Sequence, residues 1–281
     1  MEWASFPELI KDFKAIFLDS YGVLKNHKGV IPGVQKTLDL IREADLPFRV
    51  LTNDASRSPE LLRVAFEEMG VHGISTEEII TSGMMAKNYL VQKVSGGKIA
   101  YLGTTKAAEY IIEANLETIA ITDVDLEELD EVSAIVFLDD EGYDWNTDIN
   151  TVVNMLRREN ITAIVANSDQ IYPTTKNDVS IATGGIAKLV ETTLNRSFMH
   201  FGKPDSQMFM FAYEQVTEHM HIEKKDILMV GDTLHTDILG GNKFGVKTAL
   251  VLSGNTRSAN LETQVRATGI IPDFICESIV V

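Results

Sequence analysis

Residues 14–24 have the sequence KAIFLDSYGVL, in which a short apolar run ends in an aspartate and a tight turn follows. The run AIFL has the length and composition of a buried strand, and Asp19 stands at its carboxyl end. Gly22 can adopt the positive φ of such a turn, which would project the carboxylate of Asp19 from the edge of a sheet. This segment therefore predicts a strand that delivers an acidic side chain to a site.

Further short apolar runs rich in β-branched residues occur along the chain. Helical patterns separate several of them; in one, Ser58 is the N-cap, Pro59 the first helical residue and Gly70 the stop. Alternating strands and helices predict the α/β class with parallel sheets. The runs are FRVLTN (48–53), KIAYLG (98–103), SAIVFLDD (133–140), ITAIVANSD (161–169), DILMVGD (226–232) and KTALVLSG (247–254).

Many of these runs meet polar residues at their carboxyl ends. In open parallel sheets that edge is where ligands bind, so these side chains are candidates for a site. They are Asp19, Thr52, Asn53, Asp139, Asp140, Asn167, Asp169 and Asp232.

Bulk composition excludes some classes of function. The 281 residues are 44% hydrophobic, which is enough for one large domain or two modest ones. The formal net charge of −16 repels nucleic-acid phosphates and anionic lipids, so we expect no nucleic-acid partner and no membrane partner. A single cysteine, Cys276, and an N-terminus without an apolar signal core predict a cytoplasmic protein.

Two later segments add a lysine and two carboxylates. Lys203 lies in a Gly-Lys-Pro turn before a helical pattern, and the strand MVGD delivers Asp232, with Asp237 five positions on at the start of the next helix. Carboxylates converging beside Asp19 would form a hard oxygen site suited to Mg²⁺.

In this order, Asp19, Thr52, Lys203 and the Asp232/Asp237 pair resemble the four motifs of the haloacid dehalogenase superfamily. The resemblance covers nearly the whole chain and implies a Rossmann-like, doubly wound parallel sheet core. Only 33 positions separate Asp19 from Thr52, whereas a domain-sized interval separates Thr52 from Lys203. We therefore expect a second α/β domain, a cap, inserted between the second and third motifs.

That cap position is similar to class IIA of the superfamily, which includes nucleotide, pyridoxal phosphate and phosphoglycolate phosphatases. Residues 79–90 (IITSGMMAKNYL) and 184–191 (GGIAKLVE) resemble the segments that flank the cap in that class. The predicted division is a core of residues 1–82 and 186–281 and a C2-type cap of residues 83–185.

The resemblance implies a Mg²⁺-dependent phosphatase that acts on a small phosphorylated metabolite. Asp19 would attack phosphorus and form an aspartyl-phosphate, which water then hydrolyses. Asp237 would not bind the metal itself but would orient water or Lys203. The metal ligands carried over are the Asp19 and Asp232 side chains and the backbone carbonyl of Tyr21, while Thr52, the Asn53 backbone and Lys203 would hold the transferring oxygens.

One position departs from the family pattern, since Tyr21 stands where relatives carry a second aspartate as general acid and base. We expect slow turnover as a result. The alternative is a catalytically impaired protein of the same fold that binds phosphorylated metabolites and regulates. Metal-free dehalogenation is disfavoured by the Asp232/Asp237 pair, and phosphonate hydrolysis lacks a clearly placed lysine. The sequence does not fix the oligomeric state, and a homodimer is possible.

Overall fold

The fold is described from a computed structural model covering residues 1–94, 96–175 and 178–280. Numbered in chain order, the helices are α1 (Phe6–Leu9), α2 (Val34–Glu43), α3 (Pro59–Glu68), α4 (Ser82–Lys93), α5 (Thr105–Ile112), α6 (Thr147–Arg158), α7 (Thr183–Leu194), α8 (Ser206–Thr217), α9 (Leu239–Phe244) and α10 (Leu261–Thr268). The strands are β1 (Glu2–Trp3), β2 (Ala15–Leu18), β3 (Lys25–Asn26), β4 (Gly29–Val30), β5 (Phe48–Thr52), β6 (Ile79–Thr81), β7 (Lys98–Leu102), β8 (Thr118–Ala120), β9 (Val132–Phe137), β10 (Thr162–Val165), β11 (Ile171–Pro173), β12 (Val179–Ile181), β13 (Met199–His200), β14 (Ile227–Gly231), β15 (Lys247–Val251) and β16 (Phe274–Cys276).

The chain divides into two compact units. The first unit comprises Met1–Thr52, Pro59–Ile80 and Lys203–Val281, and the second comprises Asn53–Ser58 and Thr81–Gly202. Each has its own sheet and its own apolar core, so each is described by itself.

The first unit is built on a seven-stranded sheet with the order β1-β16-β15-β14-β2-β5-β6. All residues of β2 and β14 are buried, which is typical of central parallel strands covered on both faces. Leu18 of β2 pairs with Val230 of β14 on one side and with Val50 of β5 on the other, all in parallel. This register brings the carboxyl ends of β14, β2 and β5 to one edge.

Amphipathic helices complete the core of the first unit. In α2, Val34, Leu38 and Ile41 recur at helical spacing and are buried, while Gly33 precedes the helix with a φ of 98°. A short antiparallel hairpin, β3–β4, follows the turn after β2.

The second unit contains a five-stranded sheet with the order β13-β10-β9-β7-β8. Its pairings are parallel, and its core combines strand residues such as Ile135 and Val165 with Val152 of α6 and Val190 of α7. An antiparallel hairpin, β11–β12, precedes α7. The two parallel sheets confirm the predicted α/β class with an inserted second α/β domain.

Contacts place the C-terminal end of the second unit at Gly202, whereas the sequence-based division ended the cap at residue 185. Helix α7 packs its apolar face into the core of the second unit, and β13 pairs with β10 in its sheet. The flanking segment at 184–191 therefore lies within α7, a helix of this unit. At the other end, the two divisions differ by two residues.

The seven predicted runs are β2, β5, β7, β9, β10, β14 and β15, and the helix predicted after Ser58 is α3. Short edge strands such as β1 and β13 were not predicted, because two residues carry no readable periodicity. Within the described part of the chain, every helix falls short of the length and apolar character needed to cross a membrane.

Candidate active site

Asp19 lies directly after β2 with 8% of its surface exposed. Its backbone N–H donates to the carbonyl of Val230 at 2.9 Å, which continues the ladder with β14 by one residue. Gly22, in the turn that follows, has a φ of 79°, and its N–H donates to the carbonyl of Lys25 at 2.7 Å. The strand and turn predicted from residues 14–24 therefore hold the carboxylate at the sheet edge.

Lys203 connects two of the predicted carboxylates. Its side chain is 2% exposed, and Nζ lies 2.5 Å from Oδ1 of Asp19 and 2.7 Å from Oδ1 of Asp237. The first contact is a hydrogen bond between charged groups, and the second is an ion pair. Burial alone would lower the pKa of Lys203, but the two carboxylates more than offset this and hold it above its ordinary value.

Asp232 follows β14 and is oriented by groups from two loops. Its Oδ1 accepts from the hydroxyl of Thr233 at 2.7 Å, and its Oδ2 accepts from the backbone N–H of Asn255 at 2.6 Å. Gly22 and Gly254 pack against the carboxylate, because a Cβ atom would lie 2.0 Å and 1.8 Å from Oδ2, respectively. Both glycines therefore give Asp232 the space it occupies.

Asp237 is completely buried, and it belongs to a π-helical turn, Leu234–Ile238, that precedes α9. The predicted start of a regular helix is thus replaced by a wider turn. Oδ2 accepts from the backbone N–H of Thr233 at 3.0 Å. Gly231 allows this approach, since a Cβ atom there would lie 2.1 Å from Cγ of Asp237.

Asp19, Asp232 and Asp237 form one cluster, with one oxygen of each lying within 4.8 Å of the others. Burial raises the pKa of Asp19 well above its usual range; Lys203 opposes this, and the other two carboxylates add to it. Burial and Asp237 raise the pKa of Asp232 to about 7. Three carboxylates and one ammonium therefore converge here, and carboxylate oxygens are the ligands that Mg²⁺ prefers, so this set of side chains fits Mg²⁺.

Tyr21 is half-buried and stands two residues after Asp19 in the sequence. Its phenol interacts with the backbone of His27 in the turn between β3 and β4. Burial raises the pKa of Tyr21, and Asp232 adds to this, while the backbone contact opposes it. The phenol is therefore neutral near pH 7. Whether the carbonyl of Tyr21 binds metal stays a prediction.

Thr52 ends β5 at the same edge of the sheet and is 8% exposed. Asn53 follows it at the start of the second unit, is 3% exposed, and donates from Nδ2 to Oδ1 of Asp169 at 2.9 Å. Asp54 accepts from the N–H and hydroxyl of Ser56 at 2.8 Å and 2.7 Å, which makes a local turn.

The structure thus brings Asp19, Lys203, Asp232 and Asp237 together, as the sequence predicted. Sequence reasoning missed the loop after β15, where Ser253 donates to the carbonyl of Gly22 at 2.6 Å and Asn255 orients Asp232. The signal was present, because polar residues follow a buried strand there as they do at the other strand ends.

Comparisons with known proteins agree with this geometry. Residues 16–117 match the family of haloacid dehalogenase-like hydrolases, and residues 200–280 match the HAD-hydrolase-like family. A crystal structure from Cytophaga hutchinsonii, described as a possible sugar phosphatase of the HAD superfamily, is 50% identical, with a TM-score of 0.96 and coverage of 100% of this chain and 99% of that one.

Two curated proteins are more distant. Chronophin from Bos taurus is 26% identical over 98% of this chain and 94% of its own length. Acid sugar phosphatase from Staphylococcus haemolyticus is 25% identical over 90% of each chain. Together with the two family matches and the crystal structure that is 50% identical in sequence, these similarities confirm the resemblance to the haloacid dehalogenase superfamily. The chain therefore belongs to the haloacid dehalogenase-like hydrolases and is an enzyme of the class IIA phosphatase group.

Proposed function

We propose that the protein is a Mg²⁺-dependent phosphoric monoester hydrolase that acts on a small phosphorylated metabolite through an aspartyl-phosphate on Asp19. The observation that carries this proposal is the buried cluster of Asp19, Asp232 and Asp237 around Lys203. A carboxylate at a strand end beside a buried ammonium suits attack on phosphorus, because the ammonium can hold a phosphoryl oxygen.

The side chains of Asp19 and Asp232 and the carbonyl of Tyr21 would hold the metal. When bound, Mg²⁺ offsets the repulsion between the Asp19 carboxylate and a phosphate dianion. Thr233 and the N–H of Asn255 fix the direction of the Asp232 carboxylate before the metal enters. The site is thereby preorganised, and little side-chain entropy is lost on loading.

The remaining residues have roles in positioning. Asp19 attacks phosphorus as the bond to the leaving oxygen breaks, and Lys203 steers the nucleophile through the 2.5 Å contact. Asp237 orients Lys203 from the opposite side at 2.7 Å. The hydroxyl of Thr52 and the N–H of Asn53 would bind the transferring oxygens. In the second step, water attacks phosphorus and the Asp19 carboxylate leaves.

Sugar phosphates are the first substrates to examine, because two of the matched proteins carry sugar phosphatase in their names. In this proposal the first unit supplies the chemistry and the second unit is the cap that selects the substrate. The cytoplasmic location, the exact cap boundaries and the homodimer stay predictions.

Hydrolysis of p-nitrophenyl phosphate with and without Mg²⁺ tests the proposal. We expect turnover that requires the metal and is abolished in Asp19→Asn, which keeps the shape of the nucleophile without its charge. Equal rates for the wild type and Asp19→Asn would overturn it.

A second candidate is a binding protein that senses phosphorylated metabolites without hydrolysing them. Tyr21 favours it, since the neutral phenol interacts with the backbone of His27 and no carboxylate stands at that position. Thermal stabilisation by sugar phosphates, together with no turnover across a panel of esters, would select this candidate over the enzyme.

A further inference from the structure

The loop of residues 53–58 continues β5 beyond Thr52, yet its contacts assign it to the second unit. Within the loop, Asp54 makes a local turn with Ser56. These bonds lie within the loop, so they determine its local shape but not its orientation relative to the end of β5. The direction depends on what holds Asn53, whose backbone N–H is one peptide bond beyond the hydroxyl-bearing Thr52.

The side chain of Asn53 is held on both sides of its amide. Nδ2 donates to Oδ1 of Asp169 at 2.9 Å, and Oδ1 faces Gly202, where an added Cβ atom would lie only 2.5 Å from it. A carboxylate accepts only, so Asp169 also determines which end of the amide faces which neighbour. A hydrogen bond to a charged acceptor is stronger than one between neutral groups.

Two hydrogen bonds hold the main chain of Asp169 in place. Its N–H donates to Oδ1 of Asn167 at 2.9 Å, and its carbonyl accepts from the N–H of Gly184 at 3.0 Å. Gly184 has no room for a side chain, because a Cβ atom would lie 2.5 Å from the carbonyl oxygen of Ser168. The segment after β10 and the start of α7 thus hold the main chain of Asp169, whose carboxylate accepts from Asn53.

We propose that Asp169 is a positioning residue for phosphate binding, which acts by fixing the side chain of Asn53 and through it the backbone N–H that follows Thr52. This inference rests on the proposed function, since it assumes that the N–H of Asn53 binds a transferring oxygen. A donor displaced by about 1 Å can cost on the order of 10²-fold in rate.

Exchange of donor and acceptor tests the contact. Asp169→Ala removes the acceptor, and we expect kcat/KM to fall roughly tenfold to a hundredfold with a weaker affinity for inorganic phosphate. Asp169→Asn keeps an acceptor oxygen and should lose much less. Asn53→Asp opposes two carboxylates and should lose the most, whereas the double variant Asn53→Asp/Asp169→Asn restores a donor and an acceptor and should recover most of the loss.

Two measurements separate the possible results. kcat and KM for p-nitrophenyl phosphate report the reaction, and calorimetric binding of inorganic phosphate in the presence of Mg²⁺ reports positioning without turnover. Thermal melting identifies any variant that fails to fold, and the exchange pair then decides. An unchanged phosphate affinity in folded Asp169→Ala, or a double variant no better than Asn53→Asp, would overturn the inference. Turnover in the wild type no faster than in Asp19→Asn would overturn the proposed function instead, while the phosphate affinities still test Asp169.

Discussion

Asp19, Asp232 and Asp237 are identical side chains that the protein holds in three different ways. Asp19 contacts the ammonium of Lys203, Asp232 accepts from a hydroxyl and a backbone N–H, and Asp237 accepts from the N–H of Thr233 while it pairs with Lys203. Partners of fixed geometry point Asp232 in one direction. The ammonium of Lys203 positions Asp19, and Asp237 orients that ammonium from the opposite side.

We expect Tyr21 to determine how the rate of hydrolysis depends on the leaving group. A departing alkoxide is a strong base and needs a proton, whereas a phenolate leaves readily, so Tyr21→Asp should speed hydrolysis of an alkyl phosphate by up to about 10²-fold and change an aryl phosphate less. The measurement is kcat/KM for a sugar phosphate and for p-nitrophenyl phosphate. Tyr21→Phe is the matched control, and its alkyl-to-aryl ratio should equal that of the wild type. A lower ratio in Tyr21→Phe would identify the phenol as the proton donor.

Substitution of Gly254 should impair the site as strongly as substitution of a catalytic residue, because its missing side chain leaves the space that the Asp232 carboxylate occupies. In Gly254→Ala the new Cβ atom would lie 1.8 Å from Oδ2 of Asp232, so the carboxylate must move and Mg²⁺ binding should weaken at least tenfold. Asn255→Ala is the comparison in the same loop, because it keeps the backbone N–H that binds Asp232 and loses only the bond from Nδ2 to the hydroxyl of Thr233 at 2.8 Å, so a smaller effect is expected. Calorimetric titration with Mg²⁺ checks both. Equal affinities in the two variants would contradict the steric argument.

The four charged site residues were predictable because their types and order are distinctive. The polar end of β15 marked the loop that contains Gly254 and Asn255, but the roles of these two residues were not predictable, since they come from space and from a backbone N–H, which any residue type could supply. Asp169 lay between the two cases. Its position at a strand end suggested a site, but only folding brings it to Asn53, 116 residues away.

At the scale of elements, the turn between α7 and β13 depends on Glu191. Its Oε1 accepts from the backbone N–H of Phe198 at 2.7 Å and lies 3.0 Å from Nε2 of His200, while the side chain is 9% exposed. Burial alone would raise the pKa of Glu191, but these hydrogen bonds and Lys188 outweigh it and lower the pKa. The ionised carboxylate thus connects the end of a helix to an edge strand.

Glu191→Gln should therefore destabilise the protein at neutral pH by about 1 kcal/mol, because a charged acceptor becomes a neutral one. A depressed folded-state pKa stabilises the protein above the unfolded-state value of roughly 4.5, and this contribution is lost as pH falls through the lower, folded-state value. Chemical denaturation of the wild type and the variant at pH 7 and in the acid range measures the difference. Lys188→Ala, which removes a contact of 3.7 Å from an exposed lysine, should have little effect. A gap between wild type and Glu191→Gln that does not narrow on acidification would contradict this role.

Elements with a strong period were predictable, and those set by tertiary contacts were not. The long buried strands and α3 follow from apolar runs and caps. The π-helical turn around Asp237 depends on Gly231, whose lack of a side chain leaves room for a buried carboxylate. Nothing in the local sequence distinguishes this turn from the start of a regular helix.

At the scale of the whole molecule, the predicted cap boundary and the division by contacts differ for a physical reason. GGIAKLVE was matched to a segment that flanks the cap, but its apolar residues Ile186, Ala187 and Val190 belong to the core of the second unit. The same residues can thus resemble a flanking segment in sequence and still contribute to the core of the second unit in the fold. Burial decides the boundary, and burial is a property of the folded chain.

A pair of fragments tests this boundary. The apolar cluster that contains Ile135 and Val165 runs from Ala100 to Phe198, and the compact unit around it runs from Thr81 to Gly202, so residues 81–202 should fold alone. A fragment of residues 83–185 lacks β13 and most of α7, which exposes the faces of Ile135 and Val165 that α7 and Phe198 help to cover, and it should be unfolded or molten. Circular dichroism with thermal melting should show a cooperative transition in the longer fragment only. If the shorter fragment melted as cooperatively and at the same temperature, α7 and β13 would be dispensable, and the domain would end where the sequence motif suggested.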